Sequence, residues 1–142
     1  MNTDLTRHGF ILIALALVFG FFIPSMEVPR LGLSAHTIGV LSGTLLIAMG
    51  AVWQQFSLSA RRLRVMYWSW LYSSYANWLG CLLGAIFGAG NTTPVASGDY
   101  VGTPLVENIV AALLMSVAAS SLLAVGLSIL GLSAQSKGDS RQ

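Results

Sequence analysis

The stretch LSAHTIGVLSGTLLIAMGAVWQQF, residues 33–56, decides the fold class because it is apolar almost throughout. A membrane-spanning helix needs roughly 20 predominantly apolar residues, and this run is long enough. Its one ionisable side chain is His36, which stands near the start of the run. An ionisable group is unfavourable in hydrocarbon without a partner, so a residue of this kind is a functional candidate by default.

Further segments of the same kind accompany this run. The chain has 142 residues, of which 55% are hydrophobic and 8% charged, and its mean hydropathy is +0.74. Soluble domains carry about a quarter charged residues. We therefore predict an all-α fold, one integral membrane four-helix bundle over residues 1–132 followed by a disordered polar tail at 133–142. The predicted spans are residues 9–24, 33–57, 65–88 and 105–132. A cleaved signal peptide is the alternative for the first span, but no A-x-A-like cleavage site follows the apolar run.

Basic residues gather at one end of the predicted bundle. With four spans, the amino terminus, the loop between the second and third spans and the carboxyl terminus share one side. The basic residues of that side are Arg7, Arg61, Arg62, Arg64, Lys137 and Arg141. The opposite side carries Arg30. Cationic loops stay in the cytoplasm, so both termini are predicted to be cytoplasmic. A net charge of +2 gives no reason to expect a nucleic-acid partner.

Glycines follow His36 along one face of its helix, at Gly39 and Gly43. Small residues at this spacing let helix backbones approach, so a helix–helix seam is one interpretation. The other is that the stripe leaves space for a flat ligand such as a porphyrin. A zinc site takes three or four ligands, whereas haem iron needs one axial protein ligand. The single cysteine, Cys81, excludes covalent haem attachment through a C-x-x-C-H motif, and His8 lies at the cytoplasmic edge, away from His36.

Polar side chains on the later spans are the other candidate site residues. Tyr72, Tyr75 and Asn77 lie on the third span, and Glu107 lies near the start of the fourth. A buried amide in lipid must find hydrogen-bond partners, so Asn77 either bonds another helix or contacts a substrate. Glu107 is either a carboxylate favoured by the dipole at a helix amino terminus or a functional group.

Several motifs resemble those of the hydroxylaminobenzene mutase family. The resemblance covers nearly the whole chain except the polar tail. It is carried by RHGF at 7–10, GFFIPSM at 20–26, PRLGLSAH at 29–36, WLYSSYANW at 70–78, and GTP at 102–104 with Glu107. The resemblance implies an isomerase of nitroarene degradation that converts an aryl hydroxylamine, such as hydroxylaminobenzene, into a 2-aminophenol without an external oxidant.

A more distant resemblance is to styrene oxide isomerase, a small four-helix membrane enzyme. We expect this chain to be an integral protein of the bacterial inner membrane. The resemblance is carried by His36 before Gly39 and Gly43, and by the pair Ala76 and Asn77. This resemblance implies non-covalent ferric haem b as a Lewis acid, with His36 as the iron ligand and Gly39 and Gly43 beside it. It also implies a homo-oligomer, a trimer.

The chain departs from styrene oxide isomerase where that family handles the epoxide. Ser42, Ser73 and Cys81 stand where that family has an asparagine, an acidic residue and a tyrosine. These departures favour a different substrate on the same cofactor. An epoxide isomerase is one alternative, a haem or quinone electron-transfer subunit is another, and a noncatalytic scaffold or small transporter subunit is a third.

Together the two resemblances predict a mechanism. Ferric haem on His36 weakens the nitrogen–oxygen bond of the hydroxylamine, which is Lewis-acid work. The candidates to guide the hydroxyl group and take the ring proton are Tyr72, Tyr75, Asn77 and Glu107. Tyr75 or Asn77 is expected to hold the oxygen and Glu107 to act as the base. The substrate is expected to reach the site through the lipid bilayer.

Overall fold

The computed structural model describes residues 1–139, with side chains through Leu132, and all of its regular secondary structure is helical. The helices are α1 Thr3–Gly20, α2 Pro29–Val52, α3 Ala60–Phe87, α4 Pro94–Ser97 and α5 Pro104–Asp139. Short 3₁₀ turns occupy Ile23–Ser25 and Trp53–Gln55. The all-α prediction is confirmed for these residues. The backbone of α5 is helical to Asp139. Residues 140–142 of the predicted tail lie outside the described part of the chain. The disorder predicted for residues 133–142 therefore stays a prediction.

Helix ends are set by local capping rather than by the limits of the apolar runs. The side-chain oxygen of Asn2 accepts a hydrogen bond from the Leu5 amide, so α1 begins well before residue 9. Helix α2 begins with Pro29 in its first turn, where a missing amide hydrogen costs nothing. Helix α3 ends at Phe87 and is capped by Gly88, whose φ of 68° is the left-handed conformation that glycine adopts easily.

The four long helices run in alternating directions. At one end, the Asn2 amide donates to the Gly50 carbonyl at 2.7 Å, and the Ser57 amide donates to the Gly131 carbonyl at 3.1 Å. At the other end, the Val28 amide donates to the Ala85 carbonyl at 3.0 Å. Helix α1 packs on α2, α2 packs on α3, and α3 packs on α5. The amino terminus, the α2–α3 connection and the later part of α5 therefore lie at the same end.

Glycines allow α1 and α2 to pack backbone to backbone. A Cβ added at Gly43 would lie 2.6 Å from the Gly9 carbonyl oxygen, and one at Gly39 would lie 2.5 Å from the Ala16 Cβ. A Cβ at Gly50 would lie 2.4 Å from the Thr6 hydroxyl. No side chain fits at these contacts. The helix–helix seam predicted for the stripe is confirmed between α1 and α2.

Three of the described helices are long and apolar enough to cross a membrane. They are Thr3–Gly20, Pro29–Gln55 and Pro104–Leu132. Helix α3 is just as long but less apolar, because it begins with an arginine cluster and carries serine and tyrosine hydroxyls. Large apolar side chains are widely exposed on the outer faces, among them Leu41, Met115 and Leu122. Exposed apolar surface on this scale is typical of contact with lipid or protein.

Candidate functional site

His36 is held in one orientation by α1. Its Nδ1 lies 2.9 Å from the Ala16 carbonyl oxygen, which can only accept, so Nδ1 carries the ring hydrogen. A Cβ at Gly20 would lie 2.7 Å from Nδ1, so glycine at that position leaves room for the imidazole. Nε2 has no hydrogen-bond partner among the described residues, and the side chain is half-buried. Metal-binding histidines characteristically donate their second ring N–H to a carbonyl or carboxylate. Nε2 is therefore the ring atom of His36 that would be left to bind a metal.

Gly39 and Gly43, by contrast, do not line an open surface. Ala16 and Trp78 cover Gly39, and Gly9 and Ile13 cover Gly43. The stripe is filled by α1, so within one chain no flat group can lie along it. The predicted role of these two glycines in cofactor binding stays a prediction that this packing does not support.

An aromatic cavity of about 240 Å³ lies between α3 and α5. Its lining residues are Tyr72, Tyr75, Ala76, Trp78, Leu79 and Leu113. Three of the six side chains are aromatic and none is charged. Pockets of this kind bury aromatic ligands and orient them with a few polar groups. Two of the sequence-predicted residues, Tyr72 and Tyr75, thus meet in one cavity, and Trp78 joins them.

Both tyrosine hydroxyls of the cavity are hydrogen-bonded. Ser116 donates to the Leu113 carbonyl at 2.7 Å, so the 2.7 Å contact between Tyr72 and Ser116 is a bond donated by the phenol. The Tyr75 hydroxyl donates to the His8 carbonyl oxygen at 3.2 Å. Asn77 is half-buried and is not among the residues that line the cavity.

Glu107 is a structural anchor for the loop between α3 and α5. Glu107 is 7% exposed, and its carboxylate accepts hydrogen bonds from three backbone amides. Oε1 accepts from Gly90 and Gly102, both at 2.9 Å, and Oε2 accepts from Asn91 at 3.2 Å. No contact links Glu107 to His36 or to the aromatic cavity in the described part of the chain. The geometry therefore supports a structural role, and it gives no support to the predicted role as a base.

Trp78 connects the cavity to the helix that carries His36. Its ring lies against Gly39, about one turn beyond His36, and stacks edge-on with Phe19 at a centroid distance of 5.6 Å. The indole N–H is buried without a hydrogen-bond partner among the described residues. Trp78 thus lines the cavity and also contacts the helix that carries His36, while among the described residues Glu107 contacts neither.

Sequence reasoning did not identify Ala16, Trp78 or His8 as members of the site. Ala16 contributes a backbone carbonyl, which no side-chain pattern reveals. Trp78 is the last residue of the WLYSSYANW motif at 70–78, and the motif itself assigns it no role. His8 was visible as a histidine at the edge of an apolar helix, yet its partner on α3 is 67 positions away in the chain.

Comparisons with known proteins find one family model and two curated relatives that cover most of the chain. A family model described as styrene oxide isomerase matches residues 1–133. Hydroxylaminobenzene mutase HabB of Ectopseudomonas oleovorans is 40% identical over 129 residues, which are 90% of this chain and 79% of that protein. Hydroxylaminobenzene mutase HabA of the same organism is 38% identical over 133 residues, 89% of this chain and 98% of that protein. No solved structure matches the chain.

Proposed function

This chain belongs to the styrene oxide isomerase family, and we propose that it is a membrane isomerase that converts an aryl hydroxylamine into a 2-aminophenol. The reaction breaks the nitrogen–oxygen bond and forms a carbon–oxygen bond at the ortho position. The proton lost from that carbon is balanced by one gained at nitrogen, so no oxidant is consumed. The observation that carries the proposal is the 40% identity to a hydroxylaminobenzene mutase over 90% of the chain.

The aromatic cavity suits the ring of such a substrate. Its volume of about 240 Å³ accommodates one aromatic ring with a small polar substituent, and all of its lining residues lie on α3 and α5. Tyr72, Tyr75 and Trp78 offer edges and faces for aromatic contact. Because the wall is apolar, water is kept from an electrophilic intermediate, which suppresses the para product.

His36 is the residue that would hold haem b. The Ala16 carbonyl fixes its tautomer and ring plane, and Gly20 gives the ring its space. With ferric haem held there, His36 would place Lewis-acid chemistry within reach of the hydroxylamino group. Trp78 lies between this histidine's helix and the cavity, and its unpartnered indole N–H is a spare donor between the two.

The remaining candidates divide into two groups. Tyr75 and Asn77 lie on α3 and remain candidates for holding the oxygen. Glu107 is left out of the proposed mechanism because three amides already use its carboxylate oxygens.

The proposed setting is a four-span bundle in the bacterial inner membrane, with both termini in the cytoplasm. Helix α3 has 28 residues and spans about 42 Å at 1.5 Å per residue, so it is long enough to cross as well. The arginine cluster at Arg61, Arg62 and Arg64 lies at the same end as the amino terminus, which the positive-inside rule assigns to the cytoplasm. A trimer, as the family resemblance implies, completes the proposal.

The test is product analysis with the purified protein in detergent. Hydroxylaminobenzene should give 2-aminophenol, and the protein should show a Soret band. His36→Ala should lose both, whereas Thr37→Ala, an exposed neighbour that bonds its own helix, should keep both. A colourless wild-type protein that remains active would refute the haem assignment.

An epoxide isomerase is the second candidate, because the matching family model is described as styrene oxide isomerase. The same preparation should therefore be offered styrene oxide. Faster turnover of the epoxide than of hydroxylaminobenzene would replace the proposed function with this one.

A further inference from the structure

His8 and Tyr75 form a pair that joins α1 to α3. The Tyr75 hydroxyl donates to the His8 backbone carbonyl at 3.2 Å, and the His8 Nδ1 lies 3.2 Å from the same hydroxyl oxygen. The two rings meet edge to face, with centroids 5.9 Å apart and an angle of 88°. One residue of α1 thus contacts the Tyr75 phenol through both its backbone and its side chain.

Only one placement of the protons makes hydrogen bonds of both the contact to the His8 carbonyl and the contact to the His8 Nδ1. A carbonyl oxygen can only accept, so the single phenolic proton points to the His8 carbonyl. The ring contact must then be donated by Nδ1–H to the phenol oxygen. That oxygen keeps one lone pair free. The Tyr75 hydroxyl can therefore accept a hydrogen bond from a further group, such as a substrate, but it cannot donate one to that group.

Tyr75 is also part of the wall of the aromatic cavity. An aryl hydroxylamine carries N–H and O–H donors on the group that reacts. A fixed acceptor beside the ring would orient that group and select the ortho carbon that its oxygen reaches. Holding a reacting group in one geometry is a recognised contribution to catalysis.

We propose that His8 is a positioning residue of the isomerase: it fixes Tyr75 as the hydrogen-bond acceptor for the hydroxylamino group in the cavity. This inference rests on the proposed function. It assigns His8 no contact with the substrate. His8 acts through two contacts with the phenol: its backbone carbonyl accepts the phenolic proton, and its Nδ1–H occupies one lone pair of the phenol oxygen.

The inference is tested with His8 variants that either keep or remove a hydrogen-bond donor at the position of Nδ1. Asparagine can place an amide N–H near the position of Nδ1, whereas glutamine extends toward the position of Nε2. His8→Asn should keep turnover and the ratio of 2-aminophenol to 4-aminophenol near wild type. His8→Gln and His8→Ala should lower kcat/KM roughly fivefold, the factor that corresponds to one hydrogen bond of ordinary strength. The same two variants should shift product toward the para isomer. Arg7→Gln, an exposed neighbour, should change neither quantity.

A double substitution shows whether His8 works through Tyr75. His8→Ala should have no further effect in a Tyr75→Phe protein, because the group that it positions is already gone. Additive losses in the two single variants would overturn the inference, as would a product ratio that none of the variants moves. Failure of the wild type to convert hydroxylaminobenzene would instead reject the proposed function. Activities are expressed per folded protein, and a poorly folded His8→Ala leaves the Asn and Gln pair to decide.

Discussion

The substitution Glu107→Ala should lower the thermal stability of the protein, whereas the molecules that remain folded should keep their enzymatic activity. The carboxylate lies 7% exposed at the start of α5 and receives the amides of Gly90, Gly102 and Asn91. Those three residues belong to the loop that joins α3 to α5. Removing the carboxylate leaves all three amides without their acceptor.

The size of the effect follows from the two short bonds. Hydrogen bonds to a charged group contribute about 1.5–3 kcal/mol each, so the two 2.9 Å bonds give a loss of about 3 kcal/mol at the lower bound. Asn91 is exposed, and water can replace its bond at little cost. At roughly 3 °C per kcal/mol for a protein near this size, Glu107→Ala should lower Tm by about 10 °C. Glu107→Gln keeps a neutral acceptor and should lose about half as much, because charge-assisted bonds are roughly twice as strong.

The assay is thermal unfolding in detergent, with 2-aminophenol formation measured on the same samples. Asp99→Asn is the matched control, since Asp99 is an exposed carboxylate of the same loop, and its Tm should stay within about 2 °C of wild type. A Glu107→Gln protein with unchanged Tm and no activity would refute the structural role. That result would restore Glu107 as the base of the reaction.

Other expected outcomes follow from single contacts. Gly43→Ala should lose about 1–3 kcal/mol of stability, because its Cβ would lie 2.6 Å from a carbonyl oxygen of α1. Gly126→Ala, which meets no atom within 4 Å, should be neutral or more stable by up to about 1 kcal/mol. Ser128→Ala should cost about 1–3 kcal/mol, because it removes the 3.1 Å bond from the buried Trp70 indole; equal Tm values would contradict this. A fluorescent protein fused to the carboxyl terminus should be fluorescent, because that terminus is proposed to be cytoplasmic, whereas one fused at Gly98 should not. Fluorescence of the Gly98 fusion alone would show that the topology is the reverse of the one proposed.

The helices could be predicted from the sequence because long apolar runs leave few alternatives to a helix in lipid. Their ends could not, since capping depends on single residues such as Asn2 and Pro29 just outside the runs. The first predicted span ended at Pro24, whereas α1 ends at Gly20, before a 3₁₀ turn. Hydropathy shows where a segment stops being apolar. A helix instead ends where its terminal backbone groups are capped by hydrogen bonds from outside the regular helix pattern.

His36 could be singled out from the sequence because an ionisable residue in an apolar run is rare. Its surroundings depend on which helix lies against it, and the spacing of glycines alone does not tell a protein seam from a ligand face. Both explanations were open for Gly39 and Gly43, and packing against α1 fills that face. For Glu107, a helix amino terminus was predicted, but the three amides that bind it come from loop residues whose path has no periodic pattern.

Helix α3 is the least apolar of the four long helices, and it carries most of the candidate site residues. It packs against α2 on one side and α5 on the other, so its buried hydroxyls at Ser69, Ser73 and Ser74 face protein. A helix held between two neighbours can carry polar groups that a lipid-facing helix cannot, because those groups lie against protein instead of hydrocarbon. Tyr72, Tyr75, Asn77 and Trp78 all lie on this helix, as does most of the cavity wall. Polarity that lowers the hydropathy of a long helix is therefore a signal of function when that helix lies at the centre of a bundle.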